Sequence, residues 1–187
     1  ATITITTAAG ASFVKTVTFF DTKPAKATAT VVKAFIKAGT TAVADVFSVV
    51  VADGAGNGVS NATVTAAPTD TATTVGGAAT CAWDATVDMY ECAVVGKAVD
   101  KFGPVAYTIT ATGADAAATK VTTTASVTFS DNVATKAVLA GAATGNPGAS
   151  VDYTLTLTDK NGYAVADQTY GVGSEGGVIF SATAANT

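Results

Sequence analysis

Apolar and polar residues alternate along most of this chain. The stretches ATITITTA, VKTVTFF, ADVFSVVVAD, VAYTITATG, KVTTTASVTFSD and VDYTLTLTD set Val, Ile, Leu, Phe or Tyr between Thr, Ser or Ala. A period of two marks a strand with one face toward a core, because successive side chains point to opposite sides of a sheet. Val and Thr, which dominate these stretches, are β-branched and fit a pleated surface. Turn signals separate them: DGAGNG, PTD, KFGP, TGAD, ATGNPG and DKNG. Short strands broken regularly by Gly, Asp and Pro predict an all-β sandwich or barrel. Only ATVVKAFIKAG has a helical alternative, with Val31, Val32, Phe35 and Ile36 at helical spacing. Its β-branched content and its place in the repeat described next favour a strand there too.

The pattern recurs. FSVVVADGAGNGVSNATV (residues 47–64) and YTLTLTDKNGYAVADQTY (residues 153–170) share one shape, read as a hairpin. At an offset of 106, Phe47 meets Tyr153, Val51 meets Leu157, Asp53 meets Asp159, Gly56 meets Gly162 and Val59 meets Val165, without a gap. Inward positions meet inward positions, as a repeated core requires. VTFFD (residues 17–21) matches VTFSD (residues 127–131) at an offset of 110, and TITITTAAG resembles AYTITATGAD. These matches predict tandem β-sandwich repeats of about 106–110 residues. Residues 1–21 then read as the last two strands of a preceding or exchanged unit, 22–131 as one complete unit, and 132–187 as the first half of a following one. Two arrangements complete the half-units: further units of a longer array, or strands exchanged head to tail between copies. Left incomplete, each half would present open strand edges and apolar faces.

Within each predicted hairpin, Gly56, Gly58 and Gly162, with Asn57 and Asn161, supply positions that tolerate a positive φ. Asp53 and Asp159 are placed to cap the turn by accepting backbone amides. All of these residues read as structural.

VVVADGAGNGVSNATV and TLTLTDKNGYAVADQTY share an alternating strand ending in Asp, a Gly three residues on, and a Val three residues after that. In this the chain resembles the bacterial Ig-like domains of the invasin/intimin type. Where that family often carries Pro before the Val, this chain has Gly58 and Ala164. The resemblance covers the hairpins closely and the rest of the unit in spacing. It implies tandem Ig-like β-sandwich modules in a surface or cell-envelope protein.

Composition narrows the chemistry. Arg and His are absent, the ten basic residues are all Lys, and the net charge is −4. No basic stripe exists to neutralise phosphates, which argues against nucleic acid as a partner. Without His the commonest general base and zinc ligand are missing. No Gly-x-Gly-x-x-Gly opens a predicted helix, and Asp84, Asp88 and Glu91 read as solvated hairpin carboxylates. The expectation is a protein that is not an enzyme and has no catalytic or cofactor-binding residues. No segment reaches the roughly 18 apolar residues of a membrane span, and the opening ATITIT lacks the basic start of a secretory signal.

Cys81 and Cys92, in CAWDATVDMYEC, have the spacing of a hairpin turning at residues 84–88 and stapled near its open end by a disulfide. A disulfide there favours an oxidising, extracellular compartment. Asp21, Asp131 and Asn132 lie at the predicted unit junctions, where carboxylates can hold a structural calcium ion or simply cap turns. Asn61 opens the sequon Asn61-Ala62-Thr63, an acceptor for N-glycosylation. Trp83, Met89 and Tyr90 form either core or an aromatic patch for sugar. Charged residues make up 13% of the chain, against a usual ~25%, and apolar residues 49%. A Thr-rich surface with few charges suits lasting contact with copies of itself. The expected function is therefore structural: a surface-layer, filament or stalk building block of a prokaryotic cell surface. The alternatives are an adhesin module recognising a glycan or host protein, and an Ig-like domain of a phage surface or tail protein.

Overall fold

The structure is a computed structural model that describes residues 1–69, 76–96, 102–146, 148 and 150–165. Among these the regular elements are all strands: β1 (Thr2–Thr6), β2 (Ser12–Thr16), β3 (Lys26–Val31), β4 (Phe35–Lys37), β5 (Ala42–Ala52), β6 (Thr63–Pro68), β7 (Gly76–Asp84), β8 (Met89–Gly96), β9 (Gly103–Thr112), β10 (Lys120–Ser130), β11 (Lys136–Gly141) and β12 (Tyr153–Thr158). The all-β expectation holds, and ATVVKAFIKAG is extended, with β3 and β4 separated by a bend.

Strands β3 to β10 form one eight-stranded sheet in the order β3-β5-β8-β7-β6-β9-β10-β4. Its neighbours are antiparallel, except that β4 runs parallel to the end of β10. The sheet curls until β3 lies against β10, enclosing one core. Alternation explains which side chains enter it. On β9, Val105, Tyr107, Ile109 and Ala111 are buried, and Thr108 and Thr110 between them are only half-buried. On β8, Tyr90, Cys92 and Val94 do the same. Each large apolar side chain so enclosed contributes about 1.5–3 kcal/mol.

One break in the alternation has a clear cause. Val46 and Phe47 are adjacent and both buried, because β5 is bulged where it pairs with β8, between Val43 and Phe47. Asp45 takes the left-handed conformation there, with φ 52°. Asp tolerates that region better than most residues, and a bulge is one of the places where a strand can take it.

Two expectations are corrected by strand pairing. Residues 47–64 do not form a hairpin: β5 pairs with β3 and β8, whereas β6 pairs with β7 and β9. A single bridge, between Ala52 and Gly58, is all the strand pairing across the turn before the chain crosses to the other half of the sheet. The burial of Val51 and Val59 on the inner side of that crossing outweighs local pairing. The cysteines are likewise not at the open end of their hairpin. Cys81 and Cys92 lie directly opposite each other, the fourth pair from the turn, and β7 and β8 continue to Gly76 and Gly96.

The remaining strands form two separate two-stranded sheets, β1–β2 and β11–β12. The β11–β12 ladder runs from Lys136–Thr158 to Gly141–Tyr153. The β3–β5 ladder runs from Lys26–Ala52 to Val31–Phe47. Every pair of one corresponds to a pair of the other at the offsets of 110 and 106 found in the sequence. Residues 166–187, which end the third predicted segment, lie outside the described residues.

Candidate functional site

The most organised polar feature is the turn that follows β5, and it is built around Asp53. This side chain is buried. Its Oδ1 accepts the amides of Ala55 at 2.9 Å and Asn57 at 2.8 Å, and its Oδ2 accepts the amide of Asp21 at 3.0 Å and the Asn57 side-chain Nδ2 at 3.3 Å. The turn is thereby tied to the segment that enters β3. The Asp21 amide first, then the Asn57 amide, hold the carboxyl at about 2 against a usual 3.8, because donors aimed at a carboxylate favour its charged form.

The same cage recurs after β12. Oδ1 of the buried Asp159 accepts the amides of Asn161 at 2.8 Å and Tyr163 at 2.9 Å; Oδ2 accepts Asp131 at 3.3 Å and Asn161 Nδ2 at 3.5 Å. Burial pushes this carboxyl up, but the Tyr163, Asp131 and Asn161 amides outweigh it and hold the group below its ordinary range. The side-chain amide comes from Asn57 in the first turn and from Asn161 in the second, positions that do not correspond: Asn161 aligns with Ala55, and Asn57 with Tyr163. The cage therefore needs an amide donor near the carboxylate rather than Asn at one fixed place.

Only one glycine per turn uses its conformational freedom. Gly56 and Gly162 both have φ 85°. Gly58, Asn57 and Asn161 keep negative φ, contrary to the sequence expectation, because the bridge to Ala52 and the side-chain bonds to the carboxylates are made from ordinary conformations. Close approach constrains other glycines, Gly113 and Gly103 among them. A Cβ on Gly113 would lie 2.6 Å from Thr22 O and also strike Pro24, and one on Gly103 would lie 2.9 Å from the Tyr163 hydroxyl.

The junction residues serve the local backbone. Asp21 Oδ1 accepts the Lys23 amide at 3.1 Å, Asp131 Oδ1 accepts the Val133 amide at 2.9 Å, and the Asn132 amide donates to Ser130 Oγ at 3.3 Å. Among the described residues no group of three or more Asp, Glu, Cys or His is arranged to hold a metal. Asn61 is exposed between the turn and β6.

Cys81 and Cys92 are joined in a disulfide. Next to it, Tyr90 is buried, with its ring 5.1 Å from that of Trp83. Its hydroxyl donates to Val59 O at 3.0 Å and accepts the Ala62 amide at 2.8 Å, fastening the crossing between β5 and β6. Tyr90 is thus a core residue and no part of an exposed sugar platform. On the neighbouring strand face, burial first and then Asp45 and Asp84 push the Glu91 carboxyl above its ordinary range. Two features escaped the sequence reading. The Tyr90 tether joins residues 28 and 31 positions apart and leaves no local signal. The bulge at Asp45 could have been found from the adjacent apolar pair Val46 and Phe47, which breaks the period of two.

The two outlying sheets carry exposed apolar faces. In β1–β2, Ile3 is 52%, Ile5 62% and Phe13 63% exposed, and the register places all three on one face. In β11–β12, Leu139, Leu155 and Tyr153 share a face and are 61%, 45% and 49% exposed. Their counterparts on β5, Val49 and Phe47, are fully buried. No protein-family model, no characterised protein and no solved structure matches this chain.

Proposed function

We propose that this chain is a non-enzymatic structural protein built from tandem Ig-like units, serving as a surface-layer, filament or stalk component of a prokaryotic cell surface. The observation that carries this reading is the duplicated register. The β3–β5 and β11–β12 ladders pair residue for residue, and each leads into a turn closed by the same carboxylate cage. Strand order supports the Ig-like assignment. β3-β5-β8-β7 and β6-β9-β10 follow the arrangement of four and three strands in constant-type Ig domains, with β4 added in parallel on β10. A disulfide is compatible with an oxidising, extracellular setting.

The mechanism is passive. Stacked sandwiches span distance, and the cages at Asp53 and Asp159 fix how each linking segment enters the strand pair that follows it. The purified chain should assemble into ordered sheets or fibres visible by negative-stain electron microscopy. A chain that stays monomeric and binds a glycan or host protein saturably would instead be an adhesin module.

A further inference from the structure

The exposed faces of the two outlying sheets are related through the central sheet. There, β9–β10 covers β3–β5, with Tyr107 against Phe47 at 5.3 Å between ring centroids. At the sequence offsets of 104 and 110, β1–β2 corresponds to β9–β10: Ile3 to Tyr107, Ile5 to Ile109, Phe13 to Thr123. The β11–β12 pair corresponds to β3–β5, with Tyr153 at the place of Phe47. The molecule thus carries, uncovered, a version of each side of its own core contact.

Resting on the structural reading above, we propose that the Ile3–Ile5–Phe13 face of one copy docks on the Leu139–Tyr153–Leu155 face of a second copy, as β9–β10 covers β3–β5. Three properties fit the two faces to each other. Size is exchanged rather than lost: Tyr107 becomes the smaller Ile3, while Thr123 becomes Phe13 and Ala29 becomes Leu139. Polar groups are satisfied, because Ile3 brings no hydroxyl and Tyr153 already donates its own to Ala142 O at 3.0 Å. Charge is complementary. Ala125, the cross-strand partner of Tyr107, is replaced by Lys15, and Val46, which precedes Phe47, is replaced by Asp152. Both charges flank the same contact and have opposite signs, which favours this pairing over like-with-like docking.

The experiment uses the full chain, whose native cysteines are both in the disulfide. Ile3→Cys and Tyr153→Cys variants are mixed and oxidised. A heterodimer is expected on non-reducing gels, absent when Thr4→Cys, on the opposite face, replaces Ile3→Cys. In sedimentation at low salt, Lys15→Glu and Asp152→Lys should each weaken association by about 2- to 5-fold, and the double swap should restore it. Equal cross-linking from Thr4→Cys, or a double swap no better than either single change, overturns the docking. Ordered sheets or fibres that form without the 3–153 cross-link overturn the docking and leave the structural reading standing. A chain monomeric at ~100 µM overturns both for the isolated protein, above the micromolar affinities of ordinary interfaces.

Discussion

Tyr107 and Phe47 meet across the core with ring planes inclined at 59°, and the Tyr107 hydroxyl ends in that core with no hydrogen-bond partner among the described residues. An aromatic pair of this geometry contributes about 0.5–1.5 kcal/mol beyond its buried area. The unpaired hydroxyl works against it, since a buried polar group without a partner costs about 1–3 kcal/mol.

Tyr107→Phe keeps the ring and removes the hydroxyl. It should raise unfolding stability in urea by about 1 kcal/mol. Burial also pushes the Tyr107 phenol well above its ordinary range. The unfolded phenol ionises near 10, so this group's contribution is intact below about pH 10 and is lost as pH rises further. The variant should therefore lose less stability than the parent between about pH 10 and 11.

The Asp53 cage predicts acid sensitivity. Its folded carboxyl sits at about 2 against 3.8 ordinarily, so its contribution is present above pH 3.8 and is lost as pH falls toward 2. Asp53→Asn should lower the melting temperature at pH 7 and flatten the acid limb of a melting-temperature profile. Asp159→Asn, in contrast, should leave the main transition little changed and raise amide exchange at residues 131, 161 and 163, whose amides it accepts.

Glu91 has the opposite sign. Burial, Asp45 and Asp84 raise its carboxyl, so the protein gives up stability as pH rises through that group's ionisation. Glu91→Gln should raise the melting temperature at pH 7 and change little at pH 3.5.

The disulfide closes a loop between positions 11 apart. Chain entropy assigns such a closure about 3 kcal/mol. Cys81→Ala/Cys92→Ala should lose roughly 2–4 kcal/mol in urea unfolding, with the transition still cooperative, because Trp83, Tyr90 and the β7–β8 ladder remain.

Gly56 and Gly58 separate conformation from space. Both face open room, but only Gly56 has a positive φ, at 85°. Gly56→Ala should cost roughly 1–2 kcal/mol through left-handed strain alone. Gly58→Ala should be neutral or stabilising by up to about 1 kcal/mol, because it restricts the unfolded chain.

Much of this fold is written in local pattern. Alternation around Val49, Tyr90, Tyr107 and Val127 identifies strands and their inward faces, because a two-residue period can satisfy only one side of a sheet. The Asp-to-Gly spacing at 53–56 and 159–162 located both turns, since carboxylate and backbone amides lie within a few residues of one another. The cysteine pairing was legible for the same reason: the two residues are neighbours across one short turn.

Tertiary structure decided what local pattern could not. That β5 and β6 part company, that Tyr90 reaches back to Val59, and that β4 joins β10 in parallel all depend on contacts between distant segments. Most telling, Phe47 and Tyr153 occupy equivalent places in matching ladders, yet one is sealed and the other is 49% exposed. Sequence by itself determined that both belong on the inner face of a strand pair. Burial is a property of what lies opposite, and β9–β10 lies opposite only the first pair.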